Sequence, residues 1–235
     1  MPTSTVEDYL KHILMEEQRQ PDALVPMGKI AAALNVTSST VTAMVKTLAD
    51  SGLVTYEPYS GVRLTPAGRK LAAHVLRRHR LLELFLVQVV GLDWSEVHAE
   101  AEQLEHAVSE RVIDRIDELL GRPAVDPHGD PIPSAAGVVR EPDFPNLLLC
   151  PLGSPLRVER VSDQSAEFLR LVERSGLVPG SVLRVESRDE TAESVQLRLE
   201  SGGGVSLGWR AAAKILVQGL DGAATGQGGH ASSEA

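Results

Sequence analysis

The sequence is poor in cysteine and in aromatic residues, and each shortage excludes a class of protein. The 235-residue chain contains one cysteine, Cys150, which excludes an internal disulfide framework. Aromatic residues make up 3% of a chain that is 43% hydrophobic, so its cores must consist mostly of aliphatic side chains. No apolar run approaches the roughly 20 residues of a transmembrane helix, and the first residues lack the basic start and apolar core of a signal peptide. These absences predict a cytoplasmic protein that does not bind membranes.

Charge of the two signs is unevenly distributed along the chain. The net charge of −9 argues against nucleic acid as a partner. However, residues 1–80 contain ten basic and seven acidic residues, a charge of +3, whereas residues 81–120 contain two basic and ten acidic residues, a charge of −8. Acidic residues packed this tightly repel each other unless a cation neutralises them.

The N-terminal region predicts two close helices and a hairpin. Apolar residues at helical spacing predict a helix over 5–18, with Thr5 as its cap. A short helix over about 27–34 and a second helix over 37–52, which ends at a glycine, follow. Residues 53–68 then alternate on either side of a Pro-Tyr-Ser-Gly turn, as strands of a hairpin do.

This order predicts a winged helix-turn-helix DNA-binding domain over residues 1–74. Small hydroxylated residues at the start of its second helix suit contacts with phosphates and base edges. The alternative is an ordinary helical hairpin with a capped end. The residues predicted to contact DNA from this helix and from the wing are Thr37, Ser38, Ser39, Thr40, Thr42, Lys46, Tyr59 and Ser60.

The rest of the chain divides into a helical region and a small β region. Residues 65–121 predict one long helix and one or two shorter ones. The helical domain is predicted over 75–140, so the long helix begins in the domain before it. A linker over 141–151 precedes short strand-like runs over 152–219, which predict a small β-barrel. The low-complexity tail 220–235 is predicted to be disordered. The predicted fold class is mainly α with a small β C-terminal domain.

The segment HAEAEQLEHAV, residues 98–108, concentrates potential metal ligands: His98, Glu102, Glu105 and His106. On a helical wheel these four fall within an arc of about 100° that borders the apolar stripe. That stripe consists of Val97, Ala101, Leu104, Val108 and Val112. A solvated acidic helix, the alternative, would carry its acids opposite the core. Carboxylates beside a core have a desolvation cost on the order of several kcal/mol, which a divalent cation removes, so the wheel predicts a metal site.

A second pair of potential ligands, His79 and Glu83, lies on the preceding predicted helix. Their i, i+4 spacing places both residues on one face of that helix. His12 and His74 stand alone, which is more typical of a surface or core histidine. Cys150 is predicted to be a small buried apolar residue.

The order of these motifs resembles the diphtheria-toxin-repressor family of metal-dependent regulators. The resemblance covers about residues 1–135 and is carried by EDYLKHIL, STVTAMVKTLADSGLV, VLRRHRLLELFL, GLDWSEVHAEAEQLEHAVSERV and HGDPIP. It implies that the helical domain binds metal and dimerises. The C-terminal region is similar to the SH3-like, FeoA-type domain of the longer members.

The resemblance implies two metal sites. The residues that match the primary site are Asp8, Glu102, Glu105 and His106. Those that match the ancillary site are His79, Glu83 and His98, joined by two polar residues of the barrel, for which Gln164 and Glu167 are the candidates. The alternative for His79 is that it serves both sites.

Two positions decide which metal the resemblance implies. Iron-responsive members carry Met and Cys where this chain has Asp8 and Glu102, and manganese-responsive members carry Asp and Glu. Oxygen and imidazole ligands without sulfur suit Mn²⁺, so we expect Mn²⁺, with Fe²⁺ as the alternative; Co²⁺, Ni²⁺ or Zn²⁺ can substitute in vitro. Short manganese regulators bind a pair of metals and have Glu where this chain has Lys11. This difference favours the ancillary site of the long members over the paired-metal arrangement of the short ones.

The implied function is metal-dependent repression by a homodimer bound to palindromic operator DNA, at promoters of manganese transport genes. A metal held by Asp8 in one domain and by Glu102, Glu105 and His106 in the other fixes two recognition helices about one DNA turn apart, roughly 34 Å or a multiple. A metal-independent winged-helix regulator with an organic effector is the alternative. No nucleophile or phosphate-loop motif is present, so neither enzyme activity nor an organic cofactor is expected.

Overall fold

The computed structural model describes residues 3–139 and 142–220. They divide into two compact units, and the division falls between Pro142 and Asp143. Among the described residues, no helix is both long enough and apolar enough to cross a membrane.

The first unit begins with the predicted winged helix-turn-helix. Helices α1 (Ser4–Arg19), α2 (Met27–Ala33) and α3 (Ser38–Asp50) precede a hairpin of β1 (Val54–Glu57) and β2 (Gly61–Leu64). The two strands pair antiparallel, with Val54 opposite Leu64 and Glu57 opposite Gly61. The fold class predicted for this region is therefore confirmed.

Hydroxyl groups cap two of these helices. Thr3, not the predicted Thr5, caps α1, because the helix already begins at Ser4 and the Thr3 side chain accepts from the amide of Val6 at 3.4 Å. Thr37 caps α3 by accepting from the amide of Thr40 at 3.2 Å. Satisfying these otherwise unpaired amides stabilises a helix by about 1 kcal/mol.

The core of this part is aliphatic, as the scarcity of aromatic residues requires. Leu10 and Ile13 of α1, Val41 and Val45 of α3, and Val62 of β2 are fully buried in one cluster. Burial of one such side chain stabilises the fold by roughly 1.5–3 kcal/mol. The cluster fixes α1 and α3 relative to the hairpin.

A long helix joins the winged helix-turn-helix to the helices that follow. Helix α4 (Pro66–Phe85) passes through the boundary expected between residues 74 and 75 and continues as a π-helical turn (Leu86–Val90). Helices α5 (Val97–Leu104) and α6 (Glu110–Leu119) pack against α4. Because α4 belongs to both parts, residues on α1, α4 and α5 are held within one compact unit.

The ligand segment is not one continuous helix, which corrects the helical-wheel picture. Helix α5 ends at Leu104, residues 105–107 form a turn, and Ser109 precedes α6, which begins at Glu110. The predicted apolar stripe is therefore broken: Val97 and Ala101 are buried, but Leu104 and Val112 are 36% and 47% exposed. The wheel assumed a helical register that the chain abandons after Leu104.

The second unit is a five-stranded antiparallel sheet with one helix of nine residues and one short helix. Its elements are β3 (Leu156–Val161), α7 (Ala166–Arg174), β4 (Val182–Asp189), β5 (Ser194–Leu199), β6 (Gly204–Gly208), α8 (Trp209–Ala212) and β7 (Ile215–Gly219). The strand order is β6-β5-β4-β3-β7. Alternate residues such as Leu183, Val185, Val195 and Leu197 are buried, as expected for a sheet with one face on a core.

The predicted linker over 141–151 is longer than the connection in the structure. The amide of Leu147 donates to Ile215 at 3.2 Å, and the amide of Val217 donates to Pro145 at 2.9 Å, so this stretch pairs with β7. Leu147 and Cys150 are buried, the latter as predicted. Of the tail predicted to be disordered, residues 221–235 lie outside the described residues.

Candidate metal centre

Seven of the residues predicted to bind metal lie on adjoining elements of the first unit. Asp8 lies on α1, His79 and Glu83 lie one turn apart on α4, and His98 and Glu102 lie one turn apart on α5. Glu105 and His106 lie in the turn after α5. The helix pairs α1–α4 and α4–α5 pack against each other, so these side chains converge.

Asp8, Glu105 and His106 form the first cluster, in which one ligand atom from each lies within 4.8 Å of the others. His106 Nε2 lies 2.9 Å from Asp8 Oδ1 and 3.4 Å from Glu105 Oε1. Glu105 is fully buried. Burial raises the pKa of the Asp8 carboxyl, although the charges of His106 and Lys11 oppose the rise. The cluster joins α1 to the turn after α5.

Glu102 belongs to a second cluster, with His79 and Glu105. Its Oε1 lies 3.6 Å from His79 Nδ1. Burial alone would raise the pKa of the Glu102 carboxyl, but the charges of Lys11 and His79 outweigh burial and lower that pKa. Glu102 is therefore ionised and able to act as an oxygen ligand.

Lys11 is a member of this region that the ligand pattern did not include. Its ammonium donates to Glu102 Oε1 at 2.6 Å and to Glu105 Oε1 at 2.7 Å, and the residue is 1% exposed. Burial alone would lower the pKa of Lys11, but the two carboxylates raise it above its ordinary value. Lys11 thus places a positive charge between two predicted ligands.

His79 connects the predicted primary and ancillary residues. Its Nδ1 lies 2.6 Å from Glu105 Oε2, and its Nε2 lies 3.0 Å from Glu83 Oε1 and 3.1 Å from His98 Nδ1. Burial disfavours its charged form, but Glu83 and Glu105 outweigh burial and raise the pKa of His79 to about 9. His79 thus contacts Glu105 of the predicted primary site and Glu83 and His98 of the predicted ancillary site, as the alternative in which it serves both sites requires.

His79, Glu83 and His98 form the third cluster, on α4 and α5. His98 Nδ1 lies 3.1 Å from Glu83 Oε1, and the His98 side chain is 44% exposed. Despite full burial, His79 and His98 hold the pKa of Glu83 well below its ordinary range. This cluster is open to solvent on the His98 side.

Glu7 is a further residue that sequence reasoning missed. Its Oε2 lies 2.8 Å from His106 Nδ1 and accepts from Arg78 Nη2 at 2.8 Å. With Nδ1–H donated to Glu7, Nε2 is the nitrogen of His106 that faces Asp8 and can offer a lone pair to a cation bound there. The signal available in the sequence was only a second acid beside Asp8, which by itself is common.

Gln164 and Glu167, the ancillary candidates of the second unit, lie at the start of α7. Gln164 precedes the helix, and Glu167 is exposed in its first turn. Glu167 lines a surface cavity of about 340 Å³ together with Asp163, Phe168 and Lys214. Their assignment to the metal site stays a prediction.

The predicted DNA-contacting residues lie on α3 and on the β1–β2 turn. Ser38, Ser39, Thr40 and Lys46 are exposed on α3. Two hydroxyls are already used locally, since Thr37 caps α3 and Thr42 donates to the carbonyl of Ser38 at 2.8 Å.

At the wing, Ser60 is exposed, and Tyr59 is fully exposed with φ of 66°. A bulky residue in the left-handed region is uncommon and frequently marks a functional turn.

The donor atoms of the clusters fit a divalent cation. They are carboxylate oxygens and imidazole nitrogens without sulfur, a set that suits Mn²⁺ and Fe²⁺. Glu83 and Glu105 are fully buried and close to other acids, which is costly without positive charge nearby.

Three family descriptions match the chain in sequence. Residues 1–62 match "Iron dependent repressor, N-terminal DNA binding domain", residues 65–134 match "Iron dependent repressor, metal binding and dimerisation domain", and residues 146–219 match "FeoA domain". The β unit is therefore the predicted SH3-like, FeoA-type domain.

Individual proteins are similar over much of the chain. The iron-dependent repressor IdeR of Mycobacterium leprae is 35% identical over 78% of this chain and 84% of its own length. The HTH-type transcriptional regulator MntR of Lysinibacillus sphaericus is 40% identical over 51% of this chain and 84% of its own. A manganese-dependent transcriptional repressor solved in complex with manganese is 42% identical, covers 92% of this chain and 100% of its own, and has a TM-score of 0.83.

Proposed function

The chain belongs to the diphtheria-toxin-repressor family of metal-dependent transcriptional repressors, which are not enzymes, and we propose that it represses its targets in response to Mn²⁺. The observation that carries this proposal is the donor set of oxygens and imidazoles around Asp8 and Glu102, which contains no sulfur. A manganese-bound repressor at a TM-score of 0.83 supports Mn²⁺. Iron-dependent relatives at 35% identity support Fe²⁺ as the alternative.

The proposed primary site comprises Asp8, Glu102, Glu105 and His106. One ligand atom each of Asp8, Glu105 and His106 lie within 4.8 Å of one another, which supports the assignment. Glu102 is held near this cluster by Lys11, whose ammonium donates to Glu102 Oε1. For Glu102 to bind the same cation, its carboxylate must exchange the Lys11 ammonium for the metal.

The proposed ancillary site comprises His79, Glu83 and His98 of the first unit. The mutual contacts of the three residues of the first unit, at 3.0 to 3.1 Å, support their share of this site. The share of Gln164 and Glu167 rests on the family resemblance and is the part that mutation must test.

The mechanism follows from where the ligands lie in the sequence. Asp8 lies on α1, whose buried residues share one core cluster with those of α3, whereas Glu105 and His106 follow α5. A bound divalent cation supplies the positive charge that favours the joined arrangement over others. Asp8 then holds α1 against the helices that dimerise. Because α1 and α3 share a core, α3 is held in place as well. In a homodimer this selects a spacing of recognition helices near one DNA turn, roughly 34 Å, or a multiple.

The proposed DNA interface is the exposed start of α3, Lys46 and the wing. Ser38, Ser39 and Thr40 present hydroxyls to phosphates and base edges, and Lys46 neutralises a phosphate. Tyr59 and Ser60 contact the backbone from the wing. A two-fold dimer predicts a palindromic operator, and the Mn²⁺ response predicts promoters of manganese transport genes.

The test begins with operator DNA selected from a random-sequence pool by the full chain in Mn²⁺. Mn²⁺ should tighten binding to this operator relative to a chelator, and Asp8→Ala should remove that gain while the protein stays folded. Equal affinity in Mn²⁺ and in chelator would overturn the proposal and favour a metal-independent regulator.

Metal preference is tested by a second variant. Glu102→Cys adds a thiolate, so the concentration of Fe²⁺ needed for half-maximal DNA binding under anaerobic conditions should fall relative to that of Mn²⁺. Glu102→Gln, which keeps the shape but removes the charge, is the matched control and should weaken the response to both metals. An unchanged preference in Glu102→Cys would show that this position does not set selectivity.

A further inference from the structure

A fully buried group of polar side chains lies behind the ancillary cluster, at the C-terminal half of α4. Residues 124–132 form a narrow loop, in which the amide of Ile132 donates to Ala124 at 2.8 Å and Val125 bridges Pro131. Arg80 of α4 donates to the carbonyl of Pro131 and so fixes the loop against the helix. This arrangement places Asp126 and His128 beside Glu83.

The ring of His128 is held with one nitrogen ready to accept a ligand. Its Nε2 donates to the carbonyl of Trp94 at 3.0 Å, and its ring stacks on Trp94 with centroids 5.4 Å apart. Since a carbonyl can only accept, the proton of neutral His128 lies on Nε2 and Nδ1 carries the lone pair. Nδ1 is buried and has no hydrogen-bond partner among the described residues. A histidine that donates one N–H to a backbone carbonyl and presents the other nitrogen is the usual arrangement of a metal-binding histidine.

The Asp126 carboxylate is oriented by the loop itself. Its Oδ1 accepts from the amides of His128 at 2.8 Å and Asp130 at 2.9 Å, a turn that Gly129 permits with φ of 87°. Its Oδ2 is buried and lacks a hydrogen-bond partner within the described part of the chain. Two amides therefore fix the carboxylate while one oxygen stays available.

Glu83 divides its two oxygens between two groups. Oε1 lies 3.0 Å from His79 Nε2 and 3.1 Å from His98 Nδ1. Oε2 lies 4.0 Å from His128 Nδ1 and, in the residues that the structure describes, accepts no hydrogen bond. The side chain is fully buried, so this oxygen has no access to bulk water.

The spacing of these atoms suits a cation between them better than hydrogen bonds among them. His128 Nδ1 lies 4.0 Å from Glu83 Oε2, beyond hydrogen-bond range. Ligand atoms about 2.1 Å from an octahedral cation lie about 3 Å apart when adjacent and about 4.2 Å apart when opposite. One ligand atom each from Glu83, Asp126 and His128 lie within 4.8 Å of one another.

The charges of the neighbourhood point the same way. Arg80 Nε lies 3.8 Å from Asp126 Oδ2, too far for the guanidinium to hydrogen-bond this oxygen. Glu83 and Asp126 are therefore two buried acids that lie close together. An additional positive charge at this place would lower the cost of burying these acids.

We propose that Glu83, Asp126 and His128 bind a further divalent cation, of the Mn²⁺ class, and that Glu83 bridges it to the cation of the ancillary cluster. Two oxygen donors and one imidazole without sulfur suit this class. The proposal goes beyond the proposed function, because neither Asp126 nor His128 belongs to the primary or the ancillary site. It connects the loop after α6 to the metal-binding residues of α4.

The test uses the full chain, stripped with chelator and then crystallised with Mn²⁺, with anomalous diffraction at the manganese absorption edge. An anomalous peak enclosed by Glu83, Asp126 and His128 is the expected result. A peak of ordinary water without anomalous signal in that place, in crystals whose Asp8 cluster holds manganese, overturns the inference and leaves the proposed function intact.

Equilibrium dialysis with Mn²⁺ tests the same point in solution. Asp126→Asn keeps the oxygen that accepts the two amides, so the loop should fold, and it should bind one Mn²⁺ fewer per chain. His128→Gln should lose the same equivalent. Asp117→Asn, which removes a carboxylate of α6 that pairs with Arg77 of α4 at 2.8 Å, is the matched control and should keep every equivalent.

Asp8→Asn separates the two proposals. It should bind one Mn²⁺ fewer per chain, and this should be a different ion from the one that Asp126→Asn loses. The double variant of Asp8→Asn and Asp126→Asn should therefore bind two Mn²⁺ fewer. An Asp126→Asn protein that folds and retains the wild-type number of Mn²⁺ overturns the further site. An Asp8→Asn protein that retains the wild-type number overturns the proposed primary site instead.

Discussion

The Lys11 ammonium lies 2.7 Å from the fully buried carboxylate of Glu105. A second carboxylate, Glu102, lies 2.6 Å from the same ammonium. Lys11 therefore occupies, with one positive charge, the place where two proposed ligands converge. A metal that binds both carboxylates must replace it, so Lys11 stabilises the metal-free state and opposes metal binding.

Replacement of Lys11 by Met should destabilise the metal-free protein. It leaves two carboxylates without their partner, and breaking a buried ion pair costs about 3–5 kcal/mol. Urea unfolding in chelator measures this loss. In saturating Mn²⁺ the difference from wild type should shrink, because the cation then compensates the carboxylates.

The matched control is Lys29→Met. Lys29 pairs with Glu16 at 3.0 Å but is 42% exposed, and exposed pairs contribute about 0–1 kcal/mol. Equal losses in the two variants, or a Lys11→Met loss that Mn²⁺ does not reduce, would contradict the competition between Lys11 and metal.

The stability of the metal-free protein should fall as the pH rises from about 6.5 to about 9. The pKa of His79 is raised from 6.5 to about 9 in the folded state, since Glu83 and Glu105 outweigh burial. A raised pKa contributes stability that is fully present below the unfolded value and is lost as the pH passes the folded value. Thermal melts in chelator across this range measure the slope, and His79→Gln should flatten it.

A second histidine titrates in a separate window. Burial, with the charge of Lys11, lowers the pKa of His12 to about 4, so its neutral form is favoured in the fold. Its contribution is lost as the pH falls from 6.5 towards 4. His12→Asn should therefore change the acid side of the profile and leave the slope above pH 6.5 as in wild type; a changed upper slope would contradict the assignment to His79.

The local part of the fold could be predicted from the sequence because its signals are local. The cap at Thr37 and the alternation that produces β1 and β2 each involve a few neighbouring residues. The end of α5 at Leu104 was not predictable in this way. The following residues contain neither Gly nor Pro, so their helical propensity gives no sign of the turn that directs Glu105 and His106 towards α1.

The metal-binding region shows the same division. The i, i+4 pairs His79–Glu83 and His98–Glu102 follow from helical geometry. The contact of Lys11 with Glu105 joins residues far apart in the sequence, and no local pattern announces it. A lysine at that position of an amphipathic helix is equally compatible with a solvated side chain.

DNA binding should depend on Lys46 through its charge. Lys46 is exposed on α3, and each phosphate contact contributes about 0.9 to the slope of log affinity against log salt. Lys46→Ala should therefore weaken binding to all sequences and reduce the slope by about 1. Fluorescence anisotropy in Mn²⁺ over a salt series measures both quantities.

Lys70→Ala is the control for this measurement. Lys70 is also exposed, but it lies on α4, outside α3 and the wing. Its removal should leave the slope unchanged, and a slope reduced equally by both variants would mean that α3 does not define the interface.

Metal affinity should depend on Glu7, although Glu7 is not a proposed ligand. Its Oε2 lies 2.8 Å from His106 Nδ1, which directs the other nitrogen of His106 at Asp8. Loss of such a partner typically weakens metal binding 10–100-fold, so Glu7→Gln should raise the Kd for Mn²⁺ by about this factor. Glu16→Gln removes an acid from the same helix whose contacts are with Arg19 and Lys29, and it should leave the Kd unchanged. Isothermal titration of both variants decides the point: equal Kd values in Glu7→Gln and wild type would show that Glu7 serves Arg78 alone.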